Sequence, residues 1–560
     1  MAKNKDNSEL RPPIGGGVAQ ESKTGKKAAV LAMLLAAAFF PTAAEAAEAP
    51  QYTVERAFES FAYESVSGPL PYKEALEVFS SLGDPDLVLR DASGKVCAMK
   101  GGIAISDASE AILVFQTAFA GGTAAYIDNG EVMAYIAPQG ESGALVSVAG
   151  YSGVASLDGL TLVPSAFCQF RNKIGRISES YYYKSKEGDL VHAISYARAD
   201  RKSTYFYHLP IDRAPGFMEH GMRYYSLDGK DFFGSPEDAV AGKRRAGRHL
   251  VYYQFLSFRS VTGYGPEDLK SYLDEKDRER SAGSPSAYVG AIQSFFRAQA
   301  TFGVNAAMEF SFANHESDFG HSWLAADRNN FFGVAAYDSG IASARAYATA
   351  EEGILSHSES VLNRSYFDAY AYIDTELGDS FYDVPARDKG YIASYEGDSR
   401  YFGAYPGNKA TGVNVRYASD PYHGEKIAGH MYALDKWLGM KDYRRYTIGQ
   451  LKRGAAAYAY PSKGSFALYK YTSKDPDRAG GLLSETPEDI CVTVIGECGA
   501  YYQVLSEMPV SRNRRASNMW AYNRSYSFAF VRKSDVSIEI RGSGPLNSRR
   551  AILASLRLSD

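Results

Sequence analysis

A carboxyl group near the end of an apolar helical run is the feature of this sequence best suited to chemistry. The run follows Asn305 and ends with Glu316 in its last turn. Phe312 lies one turn before Glu316 and Phe319 lies three residues after it, so the carboxyl group would share its helix face with apolar side chains. Desolvation there disfavours the charged form, and such a carboxyl group can keep its proton and donate it to a leaving oxygen.

The helix that must hold this group has recognisable ends. Asn305 is predicted to be its N-cap, and Gly320 is predicted to stop it. The alternative is that Glu316 is a solvated residue at a helix end, where glutamates are common. This pattern alone leaves both interpretations open.

The neighbouring histidines raise the question of a metal site. His-Glu-x-x-His motifs put two ligands four residues apart on one helix face, whereas His315 and His321 are six apart. Six residues correspond to roughly 240° around a helix. The sequence therefore predicts no metal at Glu316 and no cofactor.

Composition places the chain among folded, multidomain proteins. It has 560 residues, of which 45% are apolar and 13% aromatic. The net charge of −4 is small, but from Lys441 onward 19 Lys and Arg face 11 Asp and Glu, which gives +8 there and −12 before it. A basic C-terminal part could favour an anionic surface polymer, or it could be a solvated face without a partner. Neither nucleic acid nor membrane is predicted as a partner of the mature chain.

Residues 1–49 have the layout of a secretory signal peptide. Basic residues precede the apolar run Ala28–Phe40, and small residues follow it around Ala44. The 13 residues of that run are too few to span a bilayer comfortably. We predict a cleaved signal and a secreted protein, with an uncleaved membrane anchor as the alternative.

Four cysteines are too few for a disulfide scaffold, and their spacing does not suit zinc: Cys97, Cys168, Cys491 and Cys498. In an exported chain Cys491 and Cys498 could pair across a tight strand connection. The sequence leaves that open. No cysteine has an evident histidine partner, so a catalytic thiol is not predicted.

The composition and the helix and strand patterns change several times along the chain, which predicts a multidomain fold. The predicted parts are a mixed α/β region over 50–105, a short-stranded β module over 106–165, a Tyr-rich connecting region over 166–285, a helical domain over 286–440, a small β barrel over 446–540 and a basic tail over 541–560.

Ordered motifs between residues 300 and 436 carry a family resemblance. They are Gly303-Val304-Asn305, His315-Glu316-Ser317 with Gly320, Asn329-Asn330-Phe331-Phe332-Gly333, Ala336-Tyr337-Asp338, Glu351-Glu352-Gly353-Ile354, Gly407-Asn408-Lys409, Asn414 to Tyr422, and Gly424 to Ala428. This region resembles the catalytic domain of bacterial endo-β-N-acetylglucosaminidases, glycoside hydrolase family 73. The resemblance implies a mainly α, lysozyme-like domain that cleaves peptidoglycan glycan strands after N-acetylglucosamine.

The resemblance also implies roles for individual residues. Glu316 maps onto the general acid, and Tyr417 onto a tyrosine that lines the cleavage site. Asp338 is the candidate second carboxylate, acting as base or nucleophile according to its distance from the acid. Tyr-Asp-Ser-Gly is also good turn chemistry, so Asp338 could be a turn residue. The 2-acetamido group of the sugar could instead supply the nucleophile, in which case no second carboxylate is needed.

Aromatic and amide side chains near these motifs are candidates for sugar binding. Phe332, Tyr337 and Tyr422 would stack on sugar faces, and Asn330 and Asn414 would hydrogen-bond N-acetyl and hydroxyl groups. Each of them could equally be a structural residue. Phe331 departs from the leucine usual in the family, which affects the shape of a sugar subsite and leaves the acid in place.

The flanking β regions resemble bacterial SH3-like modules, clearly over 446–535 and weakly over 106–165. Such modules hold secreted hydrolases on the cell wall. The alternative for them is a spacer or stabilising role. For the whole chain, the alternatives are a muramidase or lytic transglycosylase on the same scaffold, or a non-catalytic wall-binding protein.

Overall fold

The computed structural model describes residues 51–107, 110–114, 123–280, 284–335, 344–368, 401–452, 454–471, 490–516 and 521–556. The predicted signal peptide and two predicted site residues, Tyr337 and Asp338, lie outside these ranges. Within the described ranges, no helix has the length and apolar character that a membrane crossing requires.

Two antiparallel sheets form the chain up to residue 164. The first contains Gln51–Ala57, Tyr63–Ser65, Leu70–Pro71, Leu87–Asp91 and Val96–Met99, and the helix Tyr72–Ser81 buries Ala75 and Phe79 on it. The second has seven strands, which are Gly102–Ser106, Glu110–Val114, Thr123–Asp128, Val132–Gln139, Gly143–Val148, Tyr151–Ser156 and Leu160–Pro164. Its likeness to an SH3 module stays a prediction.

The Tyr-rich region forms a packed layer. Three antiparallel strands, Tyr181–Lys184, Asp189–Ala197 and Thr204–Arg213, make a sheet whose middle strand is buried along its whole length. A two-stranded ribbon of Asp231–Phe233 and Arg245–Arg248 and the helices Pro236–Ala241, Tyr252–Phe255 and Pro266–Glu279 complete it.

Five helical segments surround the predicted acid. They are Ile292–Phe302, Ala306–Ser317, Trp323–Arg328, Ala350–Ser356 with its π-helical continuation His357–Tyr366, and His423–Trp437. We call Ala306–Ser317 the glutamate helix and His423–Trp437 the histidine helix. The glutamate helix is buried on all sides, as expected for the central helix of a domain, and it packs against the histidine helix.

The two ends of the glutamate helix test the sequence prediction. The Asn305 side chain accepts hydrogen bonds from the backbone N–H groups of Ala307 and Met308 at 3.0 and 3.2 Å, which confirms it as the N-cap. The predicted stop at Gly320 is wrong, because the helix ends at Ser317 and Asp318 takes the left-handed conformation with φ 52°. Aspartate tolerates this conformation better than most residues, and here its side chain also pairs with Arg280.

The C-terminal part is a seven-stranded antiparallel sheet followed by the helix Arg549–Leu556, which lies in the predicted basic tail. The strands are Thr447–Leu451, Ala456–Tyr458, Ala467–Lys470, Cys491–Cys498, Tyr501–Leu505, Phe528–Arg532 and Val536–Ile540. All four cysteines are buried, and none of them is in a disulfide bond. The hypothesis that Cys491 and Cys498 pair is wrong, because they are the two ends of one strand, about 23 Å apart at the rise of an extended chain.

Candidate active site

Glu316 lies in the last turn of the glutamate helix and is nearly enclosed. Its relative exposure is 6%, and Oε1 of its carboxyl group is hydrogen-bonded to Nε2 of His423. His423 is the first residue of the histidine helix and is 2% exposed. The helix crossing therefore brings a carboxyl group and an imidazole together in a site almost closed to water.

Aromatic rings enclose the imidazole of His423. The Tyr417 ring stacks on it with centroids 5.2 Å apart, and the Phe312 ring lies edge-on at 5.3 Å. His315 contacts it from the glutamate helix at 5.0 Å. Burial and the neighbouring His423 and His430 hold the pKa of His315 well below its usual range, so His315 is a neutral neighbour. Nδ1 of His423 is buried and has no hydrogen-bond partner among the described residues.

Tyr417 lies one layer behind the acid. Its side chain is fully buried, and its hydroxyl group donates to the backbone oxygen of Phe332 at 2.8 Å. Burial, followed by the effect of the Glu316 carboxyl group, raises the pKa of the Tyr417 phenol well above its usual range. The phenol is therefore neutral, and its ring supports His423 from behind. A contact between Tyr417 and substrate stays a prediction.

A second buried carboxyl group lies behind Tyr417. Glu309, in the first turn of the glutamate helix, accepts a hydrogen bond from Ser358 and lies 3.2 Å from Nδ1 of His357. Burial raises the pKa of Glu309 to about 8 and lowers the pKa of His357 well below its usual range. Nε2 of His357 is 3.4 Å from the Tyr417 hydroxyl group, so a chain of neutral polar groups leads from Glu309 towards the acid.

The two predicted amide ligands of the sugar are bonded to the protein's own backbone. Asn330 donates to the carbonyl oxygens of Val334 and Arg345, both at 2.9 Å. Asn414 donates to the carbonyl oxygens of Asp420 and Pro421 at 3.2 and 3.0 Å. Both side chains are buried and hold loops in place, and their sugar contacts stay predictions.

The predicted aromatic residues lie on different sides of the site. Phe332 is buried and its ring stacks on His357, with centroids 3.7 Å apart. Tyr422 faces away from Glu316 and lines a cavity of about 280 Å³ together with Tyr182, His192 and Glu425. Tyr337 and Asp338 lie outside the described residues, and their roles at the site stay predictions.

A groove of about 640 Å³ lies beside the two central helices. Its lining includes Tyr272, Phe319 and His430, with Lys276 and Arg280 among its other residues. The ring of His430 is 5.6 Å from that of His315, the neighbour of Glu316 in sequence. In the described part of the chain, no set of three His, Cys, Asp or Glu side chains is arranged to hold a metal ion.

The sequence prediction missed His423, Glu309 and His357. His423 directly follows the motif that ends at Tyr422, so its position beside the family pattern was a usable signal. Glu309 precedes Glu316 by seven residues, two helical turns, and therefore shares its helix face. His357 gave no signal, because its partners are distant in sequence.

The class of this domain follows from a family comparison. Residues 292–436 match the glucosaminidase family, described as mannosyl-glycoprotein endo-beta-N-acetylglucosaminidase. The matched range contains the glutamate helix, the π-helical segment and the histidine helix. Residues 292–436 are therefore a glucosaminidase domain of the glycoside hydrolase class, as the sequence motifs predicted.

Two named relatives and one solved structure are also similar to parts of this chain. Proteins of two strains of Streptococcus pneumoniae, each named "Putative endo-beta-N-acetylglucosaminidase", are 29% identical to this chain over 245 residues. That match covers 42% of this chain and only 30% and 28% of the two relatives, so it spans less than a third of their length. Among solved structures, a catalytic mutant of Staphylococcus aureus Autolysin E in complex with the disaccharide NAG-NAM is 17% identical. It aligns over 39% of this chain and 86% of its own with a TM-score of 0.22.

Proposed function

We propose that this protein is a peptidoglycan hydrolase that cleaves the β-1,4 bond after N-acetylglucosamine, with Glu316 as the general acid. The observation that carries the proposal is the buried carboxyl group of Glu316 at the end of the central helix of a glucosaminidase domain. The names of the two streptococcal relatives support the same reaction class. No cofactor takes part in this proposal.

The chemistry follows from the environment of Glu316. A proton on the carboxyl group passes to the bridging oxygen as the bond to the anomeric carbon breaks, and water supplies a hydroxyl group to that carbon. Burial of the site strengthens this transfer, because water does not compete for the carboxyl group. The second group remains Asp338 or the 2-acetamido group of the sugar.

The groove beside the helices is our candidate path for the glycan strand. Tyr272 and Phe319 offer apolar ring surface of the kind that sugar faces bind. The contact between His315 and His430 connects this groove with the acid.

Secretion and association with the wall complete the proposal. The signal-like residues 1–49 support export, and the excess of eight positive charges from Lys441 onward supports attraction to anionic wall polymers. In this view the C-terminal sheet is a wall-binding module.

Digestion of purified cell wall by the mature chain tests the reaction. A glucosaminidase exposes N-acetylglucosamine at new reducing ends, whereas a muramidase exposes N-acetylmuramic acid and a lytic transglycosylase leaves no new reducing sugar. We expect Glu316→Gln to lower the rate roughly 10²- to 10⁴-fold, the usual contribution of a general acid. Glu351→Gln, at an exposed glutamate of the same domain, is the matched control and should leave the rate unchanged. Equal rates for Glu316→Gln and the native protein would refute Glu316 as the acid.

A further inference from the structure

The hydrogen bond between His423 and Glu316 distinguishes the two carboxyl oxygens. Oε1 is engaged by Nε2 of His423, and within the described residues no hydrogen bond is made to Oε2. Both side chains are more than nine-tenths buried, so bulk water does not readily replace the imidazole as a partner. One oxygen is therefore held and the other is left for substrate.

The surroundings of the imidazole select its tautomer. Nδ1 of His423 is buried without a partner among the described residues. A proton on Nδ1 would bury an unsatisfied N–H group, which is unfavourable. The favoured tautomer therefore carries its proton on Nε2, where it donates to Oε1 of Glu316.

We propose that His423 is the positioning residue of the general acid: its Nε2–H group fixes Oε1 of Glu316, so that the catalytic proton is carried by Oε2. This inference rests on the proposed role of Glu316. It extends that role, because it names the residue that sets which oxygen donates and how far the carboxyl group can rotate.

The proton movements balance over one cycle. Oε2 gives its proton to the bridging oxygen, the electron pair of the broken C–O bond stays with that oxygen, and the carboxylate left behind keeps its hydrogen bond from Nε2–H. Water adds its hydroxyl group to the anomeric carbon, and its remaining proton returns Glu316 to the acid form. His423 donates the hydrogen bond throughout and does not change its own proton count.

Several titratable groups face His423 and set its electrostatic surroundings. They are His315 and Glu316 from the glutamate helix, Tyr417 and Asp420 from the preceding loop, and Lys426 from its own helix. His315 and Tyr417 are neutral for the reasons given above, and Lys426 is paired with Asp420. The Glu316 carboxyl group is therefore the hydrogen-bonded partner of the ring whose charge changes in the proposed cycle.

Two substitutions separate positioning from packing. His423→Phe keeps a flat ring inside the aromatic shell but removes the donor. His423→Gln keeps an amide donor that cannot titrate. For both variants and the native protein, kcat and KM are measured between pH 4 and 9 on soluble glycan strands prepared from wall, and thermal melting confirms that each variant is folded.

We expect His423→Phe to lower kcat roughly 10²-fold with KM changed less than about twofold, because only the reacting geometry is lost. A donor to a carboxylate stabilises the ionised form. Removing this donor should therefore move the alkaline limb of the pH profile upward. In His423→Gln that limb should stay in place and kcat should recover about tenfold relative to His423→Phe.

Three outcomes would overturn the inference: native kcat in His423→Phe, an unmoved alkaline limb in that variant, or no recovery in His423→Gln. The last two would indicate a packing role only. Glu316→Gln measured alongside identifies a different failure, because an active Glu316→Gln variant would refute the proposed function itself.

Discussion

At the scale of single residues, the glutamate helix holds two buried carboxyl groups in different surroundings. Among the described residues, Glu316 has an imidazole partner on one oxygen and no hydrogen bond to the other. Glu309 has a hydroxyl donor, a neutral imidazole and one oxygen without a partner there. The first arrangement suits proton transfer. The second stores a proton, since burial raises the pKa of Glu309 to about 8.

The stored proton makes a prediction about stability. The folded pKa of Glu309, about 8, lies above the ordinary value of 4.5, so the folded state holds this proton more tightly than the unfolded state. The resulting stability is fully present below pH 4.5 and is lost as pH rises through about 8. We expect Glu309→Gln to remove this pH-dependent loss of folding stability. The loss in the native protein is on the order of a few kcal/mol between pH 5 and 8.

Denaturant unfolding of both proteins at several pH values measures the difference. Subtracting the two curves cancels the contribution of His357, which both proteins retain. Glu351→Gln serves as the control, because Glu351 is exposed on the surface. Parallel curves for Glu309→Gln and the native protein would contradict the stored proton.

The sequence singled out Glu316 as the candidate acid but not the residues that contact it, for a physical reason. Glu316 stands in a local pattern of apolar residues and caps that a sequence displays directly. His423 is 107 residues away from it along the chain, and His357 is 48 residues from Glu309. Contacts over such distances follow from how helices cross, and local periodicity does not contain that information.

At the scale of elements, the position of His423 depends on a close contact between the first turn of the histidine helix and a neighbouring loop. Gly424 follows His423, and a Cβ atom built on it would lie 2.2 Å from the carbonyl oxygen of Gly407 and 2.6 Å from that of Pro406. These are backbone atoms, which cannot rotate away. The first turn of the helix can therefore lie this close to the loop only because residue 424 has no side chain.

Gly424→Ala should push the first turn of the histidine helix outward. Alanine normally stabilises a helix relative to glycine, but the clash here should reverse the sign and cost about 1–3 kcal/mol. We also expect wall hydrolysis to fall, because His423 moves with the turn. Thermal melting and the digestion assay measure the two effects.

Gly290→Ala is the matched control, since a Cβ atom at Gly290 meets nothing within 4 Å. It should leave melting and hydrolysis close to native values. If Gly424→Ala behaved in the same way, the close approach to Gly407 would not matter for the site.

Helix boundaries illustrate what sequence rules can and cannot supply at this scale. Asn305 was predicted as a cap because its chemistry is local, and the structure confirms it. The C-terminal end was predicted at a glycine, but Asp318 ended the helix first through a pairing with Arg280, 38 residues earlier in the chain. A long-range contact thus replaced the local signal.

At the scale of the whole molecule, the Tyr-rich region and the histidine helix form one buried interface. Glu425 is 3% exposed and pairs with His192 at 2.7 Å, and the Tyr182 hydroxyl group lies 3.4 Å from it. Further along, Lys436 and Tyr432 both bind the carboxylate of Asp189 at 2.7 Å. The sequence predicted residues 166–285 as a connecting region, because tyrosine-rich composition does not reveal which surface the rings cover.

This interface predicts that the glucosaminidase domain is not stable without the Tyr-rich layer. A chain of residues 286–560 would expose the paired Glu425 and the apolar side of the histidine helix, whereas 166–560 keeps both covered. Breaking a buried pair costs about 3–5 kcal/mol, so we expect the shorter chain to melt at a clearly lower temperature and to be digested faster by protease.

Both chains keep the C-terminal sheet, so the comparison isolates the Tyr-rich layer. Calorimetry and timed proteolysis of the two chains provide the measurement. Equal melting temperatures would mean that the buried contacts of Glu425 and Asp189 add nothing to the stability of the domain.

The loop that presents Tyr417 is braced from within by a single amine. Lys409 is buried, and its Nζ atom donates to the backbone oxygen of Ala418 and, at 3.4 Å, to that of Asn414. The Lys409 side chain holds the loop without a disulfide bond and without a bound metal ion. The brace should therefore keep its form in chelating or thiol-reducing media, where loops closed by calcium or by disulfides come apart.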